Sequence, residues 1–173
     1  MISTRKALRD AMKAVLSDAT TGFNARLASS AVSYGITAFT ITWTTGSRNF
    51  FQGWLDPTDA ETISQLFADS ALCLYTSSAV NEHRQKPSKF SGPIVGHVDI
   101  YLKFRDGIET DDTESICEAC EAAVIECFAN PAAAWPANVT FGDQFNGQWG
   151  PIQLLQDGWM RVVPCAFVFE VNA

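Results

Sequence analysis

Two long runs with the composition of β-strands constrain this chain more than any other part of it. Residues 158–171 (GWMRVVPCAFVFEV) and 93–104 (PIVGHVDIYLKF) are rich in branched and aromatic side chains, which favour strands. Strongly helical segments share the chain with them, so the sequence predicts an α+β domain with a mixed, largely antiparallel sheet packed by two to three helices. These are signals of backbone pairing, and no usual catalytic signature accompanies them.

Length and charge narrow the class of protein. At 173 residues the chain fits a single domain spanning residues 1–173, long enough to bury a core of its own. Its formal net charge of −7 argues against a dedicated nucleic-acid binder, which gains affinity by neutralising phosphates. An acidic surface still allows DNA to pass without adhering. No apolar run approaches the ~20 residues that cross a bilayer, so no membrane association is expected.

The first third of the chain is expected to hold one helix followed by extended structure. Ser3 or Thr4 can cap the helix, which should end before Gly22. Residues 19–56 are interpreted as a strand and loop region, with an irregular connection at 22–35. Within it, the pattern predicts a strand at Thr37–Thr45, with 49–54 as a possible hairpin partner. Four apolar residues recur at helical spacing on one face of the first helix: Leu8, Met12, Val15 and Leu16.

The remaining two thirds alternate helices and strands. Pro57, with the capping pair Thr58 and Glu61, predicts a second helix. The other predicted elements are a buried strand at Ala71–Tyr75, a mobile loop over 76–92, the strand 93–104 and a helix at Thr113–Phe128. An aromatic-rich loop at 135–149 and a hairpin of 151–156 with 158–171 complete them.

Three cysteines crowd the predicted helix 113–128. Cys117 and Cys120 form a C-x-x-C pair, but acidic residues precede it, whereas a redox pair needs a lowered thiol pKa. A zinc site needs four ligands, and only two histidines exist elsewhere in the chain. Together with Cys127, these residues follow helical spacing, so they are interpreted as small core residues of a protein that folds in a reducing environment.

Catalysis is not expected from the sequence. His97 and Asp99 are near neighbours on a predicted strand, but we expect them on opposite faces, with the histidine facing solvent or an interface. No G-x-S-x-G elbow is present, and the motifs assemble no nucleophile and base. Neither glycine-rich phosphate motif occurs, so no cofactor is expected.

The loop 76–92 contains the one basic cluster in the middle of the chain. Two interpretations stay open: a solvated loop, or a docking loop that becomes ordered against an acidic neighbour. In the second case the loop supplies contacts to another subunit or partner. The candidate contact residues are His83, Arg84, Lys86, Lys89 and Phe90.

Four segments of the chain together resemble the tail terminator, or tail-completion, proteins of long-tailed bacteriophages. They are residues 57–78 (PTDAETISQLFADSALCLYTSS), 92–107 (GPIVGHVDIYLKFRDG), 113–128 (TESICEACEAAVIECF) and 151–171 (PIQLLQDGWMRVVPCAFVFEV). The resemblance covers most of the chain from Pro57 onward. It rests on the order and pattern of elements and carries no catalytic residues.

The resemblance implies a structural virion protein that assembles as a ring, commonly of six subunits. Such a ring caps the tail tube and joins it to a head-completion or connector protein of the neck, while DNA passes through the lumen without specific binding. The implied location is the virion, after assembly in the host cytoplasm. The region 19–56 and the loop 135–149 depart from shorter members of the family.

Other classes of function remain open at this point. Within the virion, the chain also fits another neck or head-completion protein. From a different class, a small ligand-binding or regulatory module with the cysteine-rich helix as its sensor is the alternative, and a tightly bound metal would favour it.

Overall fold

A computed structural model describes residues 4–37, 39–41, 50–53, 70–79, 91–105, 110–155 and 158–172. Within these ranges three helices are present: α1 (Thr4–Leu16), α2 (Phe23–Tyr34) and α3 (Thr110–Ala129). The described strands are β1 (Phe50–Gln52), β2 (Ala71–Ala79), β3 (Ser91–Arg105), β4 (Val139–Asn146), β5 (Gln153–Leu155) and β6 (Gly158–Asn172).

The strands form one six-stranded sheet built around β3 and β6. Its order is β1-β2-β3-β6-β4, and β5 pairs with the first residues of β6. Strands β3 and β6 are antiparallel over their whole length, from Ser91 opposite Asn172 to Arg105 opposite Gly158. Only β1 and β2 pair in parallel. The prediction of an α+β fold with a mixed, mostly antiparallel sheet is therefore confirmed.

The two faces of the sheet have different surroundings. On the helix side, alternate residues of β3 and β6 join side chains of α1, α2 and α3 in the main core, as Val98, Leu102 and Cys165 do. On the opposite side, a smaller buried cluster contains Cys73, Tyr101 and other residues of β2, β3 and β6. Strands buried on both faces read as continuous apolar runs, which explains the strength of the two sequence signals.

Several elements agree with the sequence analysis. Helix α1 buries the face that the spacing predicted, including Leu8 and Met12. The strand expected at Ala71–Tyr75 is β2, which continues to Ala79. Strands β5 and β6 form the antiparallel hairpin expected near the end of the chain.

The irregular connection predicted at residues 22–35 is wrong, because α2 occupies 23–34 of the region 19–56. Phe23, Leu27 and Ala31 are four residues apart and give α2 one buried stripe. Small alanine and serine side chains between them obscure that stripe in the sequence. The helix ends at Gly35, whose left-handed φ of 66° suits glycine.

Two further predictions need correction. The predicted loop 135–149 contains β4, which pairs with β6. Its alternation of core-facing Val139 and Phe141 is short and is followed by a glycine and an irregular register, which hides it in the sequence. The described residues of the predicted strand 37–45 lie outside the sheet. There the backbone N–H of Ile41 donates to the side-chain oxygen of Asn24 at 2.9 Å, and the side-chain nitrogen of Asn24 donates to the carbonyl oxygen of Ile41 at 2.8 Å.

Other expectations fall partly outside the described residues. The segment 49–54 contributes β1, whose described partner is β2. The predicted helix after Pro57 lies outside the described residues. Both ends of the predicted loop 76–92 belong to strands, because β2 reaches Ala79 and β3 begins at Ser91. Residues 80–90 lie outside the description.

Gly96 allows α1 to lie close against the sheet. A Cβ atom at this position of β3 would stand 2.8 Å from a ring carbon of Phe169 and 2.9 Å from the sulfur of Met12. Both distances are shorter than carbon side chains tolerate in a packed core. The absence of a side chain at Gly96 therefore sets the distance between α1 and the sheet.

We expect Gly96→Ala to lower the free energy of unfolding by about 1–3 kcal/mol, the usual cost of overpacking a core. Urea unfolding followed by circular dichroism measures it. Gly150→Ala is the matched control, because its added Cβ would meet Val162 at ordinary distances of 3.5 Å and beyond. Equal effects of the two substitutions would contradict the packing argument.

Candidate functional site

The predicted contact residues His83, Arg84, Lys86, Lys89 and Phe90 all lie outside the described residues. The candidate sites considered below are therefore the cysteines of α3, the polar residues of β2 and β3, and the exposed surfaces of the chain.

The cysteines of α3 are core residues, as predicted. Cys117, Cys120 and Cys127 are each at most 1% exposed, and all five cysteines of the chain are buried free thiols. Burial raises the pKa of Cys117 to about 11 and that of Cys127 to about 12. A raised pKa suppresses the thiolate that redox chemistry and metal binding need. Within the described ranges, no group of three or more potential metal ligands is suitably placed.

We expect the five thiols to be inert in the folded protein. Ellman's reagent should label none of them within minutes under native conditions, because all five are buried. In guanidinium chloride all five should react. Rapid native labelling of Cys117 or Cys120, mapped by mass spectrometry, would show instead that α3 offers a reactive thiol.

His97 and Asp99 share one face of β3, so their predicted placement on opposite faces is wrong. They are two residues apart, and side chains two apart along a strand point to the same side. Both face away from the helices, next to Tyr75 on the neighbouring strand β2. We call Tyr75, Ser77, His97 and Asp99 the polar cluster.

Contacts within the polar cluster run between the two strands. The Tyr75 and His97 rings are stacked, with centroids 4.4 Å apart and planes within 1° of parallel. The Nε2 atom of His97 is 2.7 Å from the hydroxyl oxygen of the exposed Ser77. Sequence reasoning missed this pair, because β2 and β3 bring together residues that are 20 positions apart.

Asp99 is the buried end of the polar cluster. It is only 4% exposed, and its Oδ1 atom is buried without a hydrogen-bond partner. Burial raises the pKa of its carboxyl to about 6, although a hydrogen bond with Tyr75 acts in the opposite direction. Burial also lowers the pKa of His97, so its imidazole stays neutral at pH 7.

The raised pKa of Asp99 predicts the direction in which folding stability changes with pH. The folded state binds this proton more tightly than the unfolded chain, whose carboxyl has a pKa near 3.9. The contribution of the Asp99 carboxyl to the free energy of unfolding is therefore greatest below about pH 4. It is lost as the pH rises to about 6. The loss corresponds to about 3 kcal/mol at 1.36 kcal/mol per pKa unit.

We expect Asp99→Asn to remove that pH dependence, since the amide carries no charge at any of these pH values. Relative to the wild type, the variant should gain stability as pH rises from 4.5 to 8, measured by urea unfolding at each pH. His97 changes the stability with pH in the opposite direction, but it does so in both proteins. Its effect therefore cancels when the variant is compared with the wild type. Parallel pH profiles would rule out a raised pKa for Asp99.

The aromatic segment 135–149 packs locally. Trp135 lies against Phe128 at 5.3 Å between ring centroids and is stacked on Phe141 at 6.4 Å. Trp149 lies under the guanidinium of Arg161, whose carbon is 5.0 Å from its ring centroid. Arg161 also forms an ion pair with Glu114 of α3. Both tryptophans therefore pack against residues of their own chain.

Large apolar side chains are exposed elsewhere. Leu154, in the β5–β6 hairpin, is 85% exposed, and Ile152 just before β5 is 49% exposed. Val32, near the end of α2, is 84% exposed. Single exposed apolar residues are common, but a leucine this exposed on a strand at the edge of the sheet is well placed to contact a partner.

Charge is distributed unevenly between two helices. Helix α1 carries four basic residues and one acidic residue, whereas α3 carries six acidic residues and no basic one. Arg5 and Lys6 of α1 are exposed, as are Glu118 and Glu126 of α3. The chain therefore presents a basic surface on one helix and an acidic surface on another.

Comparison with known protein families and with curated proteins gives no match for this chain. Among the described helices, none combines the length and apolar character needed to cross a membrane.

Proposed function

We propose that this chain is the subunit of a tail terminator of a long-tailed bacteriophage. It assembles as a ring, most commonly of six copies, that caps the tail tube and joins the tail to a head-completion or connector protein. DNA passes through the lumen of the ring without specific binding. The protein belongs to the tail and neck of the virion and is assembled in the host cytoplasm.

The observation that carries the proposal is the exposed hairpin. Leu154 is 85% exposed on a strand that pairs only with the start of β6 among the described strands. Removing such a side chain from water stabilises an assembly by roughly 1.5–3 kcal/mol per subunit. An isolated subunit does not gain this stabilisation, whereas a ring gains it at every interface.

The charge distribution supports contacts between copies of the chain. In a ring each subunit uses two different surfaces, one toward each neighbour. The basic surface of α1 and the acidic surface of α3 have opposite charge, so electrostatic attraction favours a head-to-tail arrangement. The net charge of −7 is also consistent with a lumen that repels DNA.

The burial of the cysteines weakens the regulatory alternative. A sensor built on α3 needs an accessible thiol or a metal site, and the thiols of Cys117, Cys120 and Cys127 are buried with raised pKa values. A different neck protein remains the alternative within the virion. A tail-tube gene directly downstream and head-completion genes upstream would favour the terminator.

We expect Leu154→Glu to weaken ring assembly at least tenfold. The free energy of unfolding of the subunit should stay within about 0.5 kcal/mol of the wild-type value, as is usual for an exposed position. Light scattering and sedimentation velocity measure the assembly, alone and with tail tubes from the encoding phage. Ala19→Glu, at an exposed turn position, adds the same charge and should change neither property. A strict monomer that ignores tubes at high concentration would contradict the proposed function.

The basic residues of the loop 76–92 provide a second test. Replacing Arg84, Lys86 and Lys89 with serine should weaken assembly, more strongly at low salt, because contacts between exposed charges are screened by salt. Subunit unfolding should change little, since exposed ion pairs contribute roughly 0–1 kcal/mol each. If the triple variant assembles normally but its unfolding temperature is several degrees lower, the loop stabilises the subunit itself and does not dock on a neighbour.

A further inference from the structure

A β-bulge in β2 displaces Ser77 from the regular ladder. Thr76 pairs with Gly96 and Ala79 pairs with Ile94, so residues 77 and 78 together stand opposite the single residue 95. A bulge of this kind bends the strand and re-aims its side chains, and bulges are frequent beside active sites. Here the bulge lies beside the only described histidine.

The hydroxyl of Ser77 lies against a base. Its oxygen is 2.7 Å from Nε2 of His97, within the range expected between a nucleophile and its general base. The imidazole is held by its parallel stack on Tyr75, with a centroid distance of 4.4 Å. Ser77 is exposed and His97 is half-buried, so a small molecule can reach the hydroxyl from solvent.

The protonation state of the histidine suits this role. Burial lowers the pKa of His97, so the neutral imidazole predominates at pH 7 and Nε2 can accept the serine proton. The carboxyl of Asp99 interacts with Tyr75, so the orientation of the histidine depends on ring stacking and not on a carboxylate. Among the described residues, the other titratable groups on this side of the sheet are Cys73 on β2, Tyr101 and Lys103 on β3, and Glu170 on β6. The β6 residues paired with Asp99 and His97 are Pro164 and Ala166.

Two guanidinium groups of α1 border the bulge. Arg5 donates from Nη1 to the backbone oxygen of Ser77 at 3.5 Å, and Arg9 donates from Nη1 to the hydroxyl of Thr76 at 3.4 Å. Thr76 lies opposite Gly96 and faces α1, so Arg9 is on the helix side of the sheet, opposite the side that Ser77 and His97 share. These contacts tie α1 to the bulged strand from the other side of the sheet.

We propose that Ser77 and His97 form a nucleophile–base pair that accepts an acyl group from activated esters. The Ser77 oxygen bonds to the acyl carbon as its proton passes to Nε2 of His97. The bond from that carbon to the leaving oxygen then breaks, and His97 returns the proton to the leaving oxygen. The products are acyl-Ser77 and a free alcohol. The activity is independent of the proposed assembly function.

The test uses the full chain with p-nitrophenyl acetate. We expect release of one nitrophenolate per chain and an acyl group on Ser77, located by peptide mass mapping. The rate should fall as pH drops through the pKa of His97, below its ordinary value of 6.5.

Three variants separate this chemistry from general reactivity. Ser77→Ala should abolish the stoichiometric release, and His97→Gln should slow it about 100-fold or more, the usual contribution of a general base. Ser91→Ala is the matched control, because the Ser91 hydroxyl donates to the amide oxygen of Asn172 at 2.7 Å, and this variant should react normally.

Results of the opposite kind would overturn the proposal. They are acylation confined to lysines, a rate unchanged in His97→Gln, or a wild-type rate that does not fall at any pH below 6.5. The wild-type pH profile and the mapped site need no variant, so they decide the question even if a substitution prevents folding.

Discussion

The antiparallel pairing of β3 with β6 is the interaction on which the rest of the structure depends. These two strands pair at all fifteen positions, and each remaining strand extends the sheet outward from one of them. A register shift of one residue would exchange the two faces of a strand. It would turn Asp99 toward the helices and Cys165 away from them. The position of the polar cluster is therefore set by this pairing.

The sequence predicted the elements whose apolar periodicity is long and regular. Helix α1, helix α3, the long strands and the final hairpin belong to this group, as does the burial of the cysteines. Helix α2 was missed because its stripe consists of only Phe23, Leu27 and Ala31 among small residues. Strand β4 was missed because its alternation ends after two residues at Gly142. The pairing of Ser77 with His97 depends on a strand register and a bulge, and neither has a local sequence signal.

Asp99 and His97 respond to acid in opposite directions. Burial raises the pKa of one and lowers that of the other, so as pH falls from 7 toward 4 the carboxyl stabilises the fold while the imidazole destabilises it. The two contributions offset each other within one cluster. The pH dependence of stability that the two groups produce together is therefore smaller than that of Asp99 alone.

The bulge at residues 77 and 78 also affects what the edge of the sheet can do. Beyond the three residues paired with β1, the second half of β2 has no described strand on its outer side. A regular open edge is a template for indefinite addition of strands from other molecules, which leads to fibrils. The irregular register interrupts that template, and the carbonyl oxygen of Ser77 accepts a hydrogen bond from Arg5. This half of the β2 edge therefore resists amyloid-like extension by strands of other molecules.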